Sequence, residues 1–304
     1  MSSAFVLPEP WQNALKTYPE LLKVAPDVLS ASDYVNQWGQ RQESMLAQLL
    51  ESGQLQKKLS LDEIRQQLKS MLEGITSEEQ LHQKLRHFRQ WMMVRIIWRD
   101  LANWSDLAET MADLSAMADV CIQQTLSLLY DWQVEINGIP RDDDGREQKM
   151  IVLGMGKLGA GELNLSSDID LIFTYPEEGE TEGGRKPLSN SEFFVRLGRK
   201  LIQALDNQTV DGFVFRVDMR LRPFGESGAL VSSFDAMEEY YQTQGREWER
   251  YAMIKARAIT GNEADKKALS DMLRPFVYRR YLDYGMFDSL REMKSMIAGQ
   301  MYHR

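Results

Sequence analysis

The sequence predicts an α+β protein in which a small mixed β-sheet is flanked by an N-terminal and a C-terminal helical region. Residues 1–145 show helical periodicity almost throughout. Residues 146–233 contain short apolar segments separated by turn formers, and residues 234–304 return to a helical pattern. These three ranges are the predicted domains: a helical region, a sheet core and a second helical region.

Helices of the first region are indicated by capping sequences and by the spacing of apolar residues. A capping box satisfies the first free backbone amides of a helix with two side chains three residues apart. Between 81 and 103 the apolar residues recur on a helical period and then cover more than one face, which predicts a largely buried helix. The capping-box pairs are Ser60 with Glu63 and Thr76 with Glu79, and Ser105 is the expected N-cap of a helix over about 105–135.

The pattern changes after the turn-rich segment 137–147, which we interpret as a loop at the domain boundary. The acidic segment 176–184 is interpreted as a solvated surface loop, and the chain from Phe234 onward as helical with breaks near Gly261 and Pro275. Between residues 147 and 234 the sequence predicts four strands and one helix. The strands are Met150–Leu153, Ile169–Tyr175, Phe213–Leu221 and Ala229–Ser232, and the helix is capped by Ser189 and runs to about Leu205.

Composition and charge exclude several classes of function. The 304 residues carry a net charge of −9, which argues against general binding of DNA or RNA because that binding depends on positive charge. One cysteine and three dispersed histidines offer neither a disulfide framework nor a thiolate or histidine metal cluster. No signal peptide and no apolar run of membrane-spanning length is present, so the expected location is the cytoplasm.

The most informative segment is a glycine-rich turn followed by two acidic residues. Asp168 and Asp170 are two positions apart on a predicted strand, so their side chains share one face. The turn before them contains four glycines and Lys157. Two carboxylates facing a lysine-bearing turn with an accessible backbone would hold a divalent metal against a polyphosphate, which indicates nucleotidyl transfer.

The glycine turn also matches other kinds of site in part. Gly154, Gly156 and Gly159 match the dinucleotide-binding pattern GxGxxG. However, only eight residues separate Gly159 from Asp168, which is too short for the helix of a parallel crossover. A Walker A sequence is absent, and a glycine-rich hairpin that binds nothing remains the plain structural alternative.

A third carboxylate is expected because two-metal sites in phosphoryl transfer generally use three. Asp218 lies in the predicted third strand, with Arg216, Arg220 and Arg222 on the same face. The arginines would hold phosphate oxygens, a task that suits the planar guanidinium group. The alternative is a solvated outer face in which the charges pair with one another.

The residues quoted so far resemble a known bacterial family. GMGKLGAGELNLSSDIDLIF, FRVDMRLRPFGESGALV and GREWERYAMIKAR are similar to the glutamine synthetase adenylyltransferase/adenylyl-removing enzymes, within the DNA polymerase β-like nucleotidyltransferase superfamily. The wording of these motifs resembles the N-terminal, adenylyl-removing half of the family's two-half proteins. We therefore expect the chain to be an N-terminal fragment of a longer protein.

The resemblance implies a function, its cofactor and its partners. The expected reaction is phosphorolysis of adenylyl-tyrosine on glutamine synthetase, with phosphate consumed and ADP released; the alternatives are adenylylation by ATP and a non-catalytic docking module for glutamine synthetase or the PII signal protein. Mg²⁺ is the expected cofactor, and neither nucleic acid nor membrane is an expected partner. The predicted catalytic and metal-binding residues are Asp168, Asp170 and Asp218, and the predicted phosphate or nucleotide contacts are Gly156, Lys157, Ser167, Arg216, Arg220 and Arg222.

Overall fold

The structure is a computed structural model that describes residues 6–278. Its elements confirm an α+β fold. The helices are α1 (Glu9–Leu15), α2 (Pro19–Ala31), α3 (Asp33–Arg41), α4 (Glu43–Glu51), α5 (Leu61–Met71), α6 (Glu78–Leu101), α7 (Leu107–Asn137), α8 (Gly156–Ala160), α9 (Asn190–Asp206), α10 (Phe234–Thr243), α11 (Glu247–Ile254) and α12 (Glu263–Val277). The strands are β1 (Gly138–Arg141), β2 (Ile151–Gly154), β3 (Ile169–Tyr175), β4 (Glu180–Gly183), β5 (Val217–Asp218), β6 (Val231–Ser233) and β7 (Arg257–Ala258).

The described chain divides into two compact units. The first contains residues up to 125 together with 161–167 and 204–215. The second contains 126–160, 168–203 and the described residues from 216 onward. All of the sheet strands belong to the second unit.

The first unit is organised around α6, the helix predicted to be largely buried. That prediction is confirmed, since both its apolar residues and three of its arginines are buried. Helical periodicity alone did not indicate the role of the arginines. Arg86 donates hydrogen bonds to the backbone carbonyls of Ala204, Asn207 and Gly212, so it holds a distant segment of the same unit. Buried guanidinium groups are tolerated because carbonyl and carboxylate oxygens replace the lost water.

The predicted helix caps are correct in part. Ser60 and Glu63 form the expected reciprocal capping box at the start of α5. The cap of α6 is Ser77, one residue after the predicted Thr76. The first residue of α7 follows Asp106, whose carboxylate accepts from the amide of Glu109, so the prediction of Ser105 as N-cap was wrong by one residue.

The main sheet has the strand order β5-β3-β2-β7, and β6 also pairs with β3. Strands β2 and β3 are antiparallel, whereas β5 and β6 both run parallel to β3. Because β5 pairs with the beginning of β3 and β6 with its end, the chain leaves the sheet between them. Apolar residues of α10, α11 and α12 pack with those of β2 and β3 in one hydrophobic core cluster of this unit.

The prediction of a long third strand over 213–221 was wrong. Only β5, two residues long, pairs with the sheet, and the backbone turns immediately after it. Alternation of side chains across a strand therefore does not extend to residues 220 and 222, and the predicted single face of three arginines does not exist. Prolines and glycines downstream favour turns over extended pairing.

Three further strands were missed. Segments 137–147 and 176–184, interpreted as loops, contribute β1 and β4, which form a separate two-stranded antiparallel sheet. Neither segment alternates apolar and polar residues, so the sequence pattern did not indicate a strand. The pairing of β1 with β4 is made by backbone hydrogen bonds. Strand β7 interrupts the C-terminal region that was predicted to be helical. In that region Pro275 lies inside α12 rather than ending it, and residues 279–304 lie outside the described part of the chain.

Candidate active site

Two acidic side chains are brought together by the parallel pairing of β3 and β5. In this register Asp170 is the Cα partner of Asp218, and Ile169 is the partner of Val217. Residues paired across adjacent strands lie on the same face about 5 Å apart. Asp170 and Asp218 therefore face the same side of the sheet as neighbours.

Asp168 lies just before β3 and is held by the segment that leads into β5. Its Oδ1 accepts a hydrogen bond from Nε of Arg216, and the two side chains form an ion pair. The backbone amide of Ile169 also donates to the carbonyl of Arg216, at 2.9 Å. Both groups of this ion pair are substantially exposed, so the pair contributes little to stability.

The glycine-rich turn forms the short helix α8 beside these carboxylates. Gly156 has a φ of +55°, and a Cβ added there would lie 3.5 Å from Oδ2 of Asp170. The start of α8 thus approaches the carboxylate with backbone alone. Lys157, the next residue, is exposed.

The other end of α8 is fixed by the segment around β7. A Cβ added at Gly159 would lie 1.7 Å from the carbonyl oxygen of Lys255, so the two backbones touch where a side chain would be. Arg257 donates from Nε to the carbonyl of Gly159 at 3.1 Å and from its guanidinium to that of Leu158 at 3.0 Å. A cation at the carboxyl end of a helix is favourable. Arg257 lies on β7 rather than on a helix, so the helical pattern predicted from Phe234 onward gave no indication of this role.

We expect Gly159→Ala to destabilise the protein by about 1–3 kcal/mol, because its methyl group would overlap the Lys255 carbonyl and force backbone movement. The comparison variant is Gly161→Ala. Gly161 has a φ of +72° and nothing within 4 Å of an added Cβ, so that substitution tests backbone strain without overlap. The measurement is urea-induced unfolding. Equal losses for the two variants would contradict the steric explanation.

Neighbouring charges act on the pKa of Asp170 in opposite directions. The pKa of Asp170 is raised, first by burial and then by the like charges of Asp218 and Asp168, whereas the positive charges of Arg220 and Lys157 act to lower it. The three carboxylates and two cations are therefore close enough to influence one another electrostatically.

Asp218 has the opposite shift because Arg220 holds it directly. Nε of Arg220 lies 3.0 and 2.8 Å from the two carboxylate oxygens, and the backbone amide of Arg220 donates to Oδ1 at 2.8 Å. The hydrogen bonds from this side chain, followed by the smaller backbone contribution, lower the pKa of Asp218 despite partial burial.

Arg222 and Ser167, both predicted to contact phosphate or nucleotide, bind other groups in the structure. The guanidinium of Arg222 donates to the carbonyls of Met219 at 2.9 Å and Glu226 at 3.0 Å, so it holds the loop after β5 together. Ser167 belongs to the first unit, where its hydroxyl donates to Oδ1 of Asn164.

The three carboxylates fit a divalent metal in their chemistry but not in their present arrangement. Carboxylate oxygens are the ligands that Mg²⁺ prefers. Burial, followed by the like charges of Asp218 and Asp168, raises the pKa of Asp170, and a bound cation would relieve the repulsion among these carboxylates. Within residues 6–278, however, no group of three acidic, histidine or cysteine side chains is gathered closely enough to hold a metal. Asp168 and Asp218 are each turned toward an arginine. The carboxylates are suitable ligands for Mg²⁺. To bind it, Asp168 and Asp218 would have to release their arginine partners and turn toward the ion.

Comparison with known proteins gives a consistent result. The profile of the family described as "Glutamate-ammonia ligase adenylyltransferase" matches residues 22–272. Proteins named "Bifunctional glutamine synthetase adenylyltransferase/adenylyl-removing enzyme" are similar in Pseudomonas aeruginosa, with 55% identity over 94% of this chain and 29% of the relative, and in Pseudomonas syringae, with 54% identity over 95% and 29%. The protein of that name in Shewanella loihica is 48% identical over 94% of this chain and 30% of its own length. The chain thus spans under a third of the length of the curated relatives it matches.

No helix within residues 6–278 is long and apolar enough to cross a membrane.

Proposed function

This chain belongs to the glutamate-ammonia ligase adenylyltransferase family, and from that premise we propose that it removes AMP from an adenylylated tyrosine of glutamine synthetase by phosphorolysis. The observation that supports a nucleotidyl-transfer site is the pairing of Asp170 with Asp218 on parallel strands, beside the exposed backbone of Gly156. The direction of the reaction rests on the resemblance of the motifs to the adenylyl-removing half of the family.

The proposed reaction transfers the adenylyl group from tyrosine to phosphate. An oxygen of HPO₄²⁻ attacks the α-phosphorus, the bond from phosphorus to the tyrosine oxygen breaks, and the products are ADP and tyrosine. The proton of the attacking phosphate ends on the tyrosine oxygen, so atoms and charge balance. Lys157, Arg216 and Arg220 supply the positive charge that would hold phosphate near the carboxylates.

Asp168, Asp170 and Asp218 are the residues that would hold Mg²⁺. When bound, such an ion supplies neutralisation of charge on the phosphate oxygens. The protein's own contribution is positional: β3 and β5 fix two of the carboxylates, and α8 presents backbone rather than side chain toward them. Arg222 is assigned to loop structure in this proposal because its guanidinium is engaged by backbone carbonyls.

The curated relatives carry two activities in their printed name, so the reverse direction is the main competitor. In that case ATP would adenylylate glutamine synthetase at the same carboxylates. A docking module for glutamine synthetase or for the PII signal protein is the non-catalytic alternative, and PII is retained as a proposed partner.

The test incubates the protein with adenylylated glutamine synthetase and Mg²⁺, with and without phosphate, and follows nucleotide release by chromatography. We expect ADP to form only when phosphate is present. A parallel incubation contains ATP, Mg²⁺ and unmodified glutamine synthetase; incorporation of AMP there, without release of ADP in the first incubation, would establish the reverse direction. Binding to glutamine synthetase with neither reaction would establish the docking role.

A further inference from the structure

Phe224, in the loop after β5, combines an unfavourable backbone with an exposed ring. Its φ of 60° and ψ of 11° lie in the left-handed region, which bulky residues rarely adopt. Within residues 6–278 the other non-glycine residue with positive φ is Asn103, a residue type that tolerates this conformation. Phe224 is 61% exposed, so burial does not compensate for the backbone cost. Strain of this kind persists where surrounding structure enforces it, and it concentrates at ligand sites.

The surrounding loop enforces this conformation. Two successive turns are closed by hydrogen bonds from the amide of Arg222 to the carbonyl of Met219, at 3.3 Å, and from the amide of Gly225 to the carbonyl of Arg222, at 2.8 Å. The Arg222 guanidinium binds further loop carbonyls. A Cβ added at Gly228 would lie 1.9 Å from the carbonyl of Pro223, so the loop closes through direct backbone contact.

The ring of Phe224 is supported on one side. It contacts the ring of Tyr240 at a centroid distance of 4.5 Å and an interplanar angle of 63°. The Tyr240 hydroxyl donates to Oε1 of buried Glu249 at 2.7 Å, and Oε2 of Glu249 accepts from the amide of Arg246 at 2.8 Å. Phe224 is therefore a positioned ring with an open surface rather than a mobile surface side chain.

The location of this ring relates it to the candidate site. Phe224 follows Asp218 by two tight turns, each of which keeps its ends within about 7 Å. The same loop contains Arg220, which binds Asp218. The short loop therefore keeps the ring of Phe224 in the same unit as Asp218 and only a few residues from it.

We propose that Phe224 is a stacking surface for the adenine ring of the nucleotide whose phosphates are bound at Asp168, Asp170 and Asp218. This inference rests on the proposed function and assigns base recognition to a residue outside the charged cluster. A planar base would cover the exposed ring, and the enforced backbone keeps the ring oriented before the nucleotide arrives. Stacking of a base on an aromatic side chain is sequence-tolerant and strong enough to affect affinity measurably.

The test is calorimetric titration with two ligands in the presence of Mg²⁺: ADP, and pyrophosphate as a ligand without a base. Phe224→Ala and Phe224→Gly are each expected to weaken ADP binding by about tenfold or more, on the basis of typical base-stacking losses. Phe224→Tyr keeps an aromatic ring and should bind ADP within about threefold of wild type. Glycine accepts the left-handed backbone, so Phe224→Gly preserves the loop while removing the ring. Pyrophosphate binding should be the same in all four proteins.

The outcomes separate this inference from the proposed function. Unchanged ADP affinity in Phe224→Ala and Phe224→Gly, with ADP bound by wild type, overturns the stacking role and leaves the proposed function standing. Equal loss of ADP and pyrophosphate also overturns it, because the ring would then act on the loop rather than on the base. Failure of the wild-type protein to bind either ligand would overturn both proposals together.

Discussion

Asp170→Asn is expected to abolish phosphorolysis of adenylylated glutamine synthetase, with a loss of at least about 100-fold, since it removes a carboxylate proposed to bind the metal directly and even indirect partners of metal ligands typically contribute 10–100-fold. The fold should be retained. Asp170 is acted on by the like charges of Asp218 and Asp168, so a neutral amide removes repulsion, and the thermal midpoint without Mg²⁺ should be unchanged or higher.

The control for this experiment is Asp143→Asn, which makes the same chemical change in an exposed part of the second unit. Its ADP release should match wild type. The measurements are initial rates of ADP formation and thermal unfolding of each variant. Wild-type turnover by Asp170→Asn would refute the catalytic assignment, whereas lost activity accompanied by unfolding would point to a structural role.

Arg95→Ala is expected to reduce the free energy of unfolding by about 3–5 kcal/mol, because it leaves a buried carboxylate without its counter-ion. Arg95 is fully buried and donates to Oδ2 of Asp113 at 2.6 Å. It also donates to the carbonyls of Gln54 at 3.0 Å and Lys57 at 2.6 Å, so the substitution removes partners from three oxygen atoms. Urea-induced unfolding measures the loss.

An exposed ion pair in the same unit provides the matched control for Arg95. Arg65 pairs with Asp62 on α5, with both side chains in contact with solvent, and Arg65→Ala should change stability little. The double variant Arg95→Leu/Asp113→Leu removes both charges and should recover part of the stability lost in Arg95→Ala. If the double variant is as unstable as the sum of its single substitutions, the buried charge pair is not the source of the loss.

Much of the fold was predictable because helical and strand periodicities are local properties. The buried character of α6, the capping box of Ser60 and the extent of β3 each follow from residues within one segment. The missed strands β1, β4 and β7 depend instead on distant backbones, and nothing in their own side chains reports that pairing.

In the candidate site, too, local features were predictable from the sequence and long-range contacts were not. Sequence spacing singled out Asp168 and Asp170, but the neighbour of Asp170 across the sheet is fixed by a long-range register. Alternation along one long strand suggested a common role for Arg216, Arg220 and Arg222. The turn after β5 separates them, so Arg222 binds its own loop while the other two bind carboxylates. The strained backbone of Phe224 had no local signal, since phenylalanine rarely adopts it.

The order of strands in the main sheet has a consequence for synthesis on the ribosome. Strand β2 is translated before β7, the partner that covers its outer edge, and β7 emerges only after α11. A growing polypeptide that has completed β2, β3 and β6 therefore still presents an unpaired strand edge, the kind of surface that promotes association between chains. We expect release of residues 257 and 258 from the exit tunnel to mark the point at which this strand edge becomes paired.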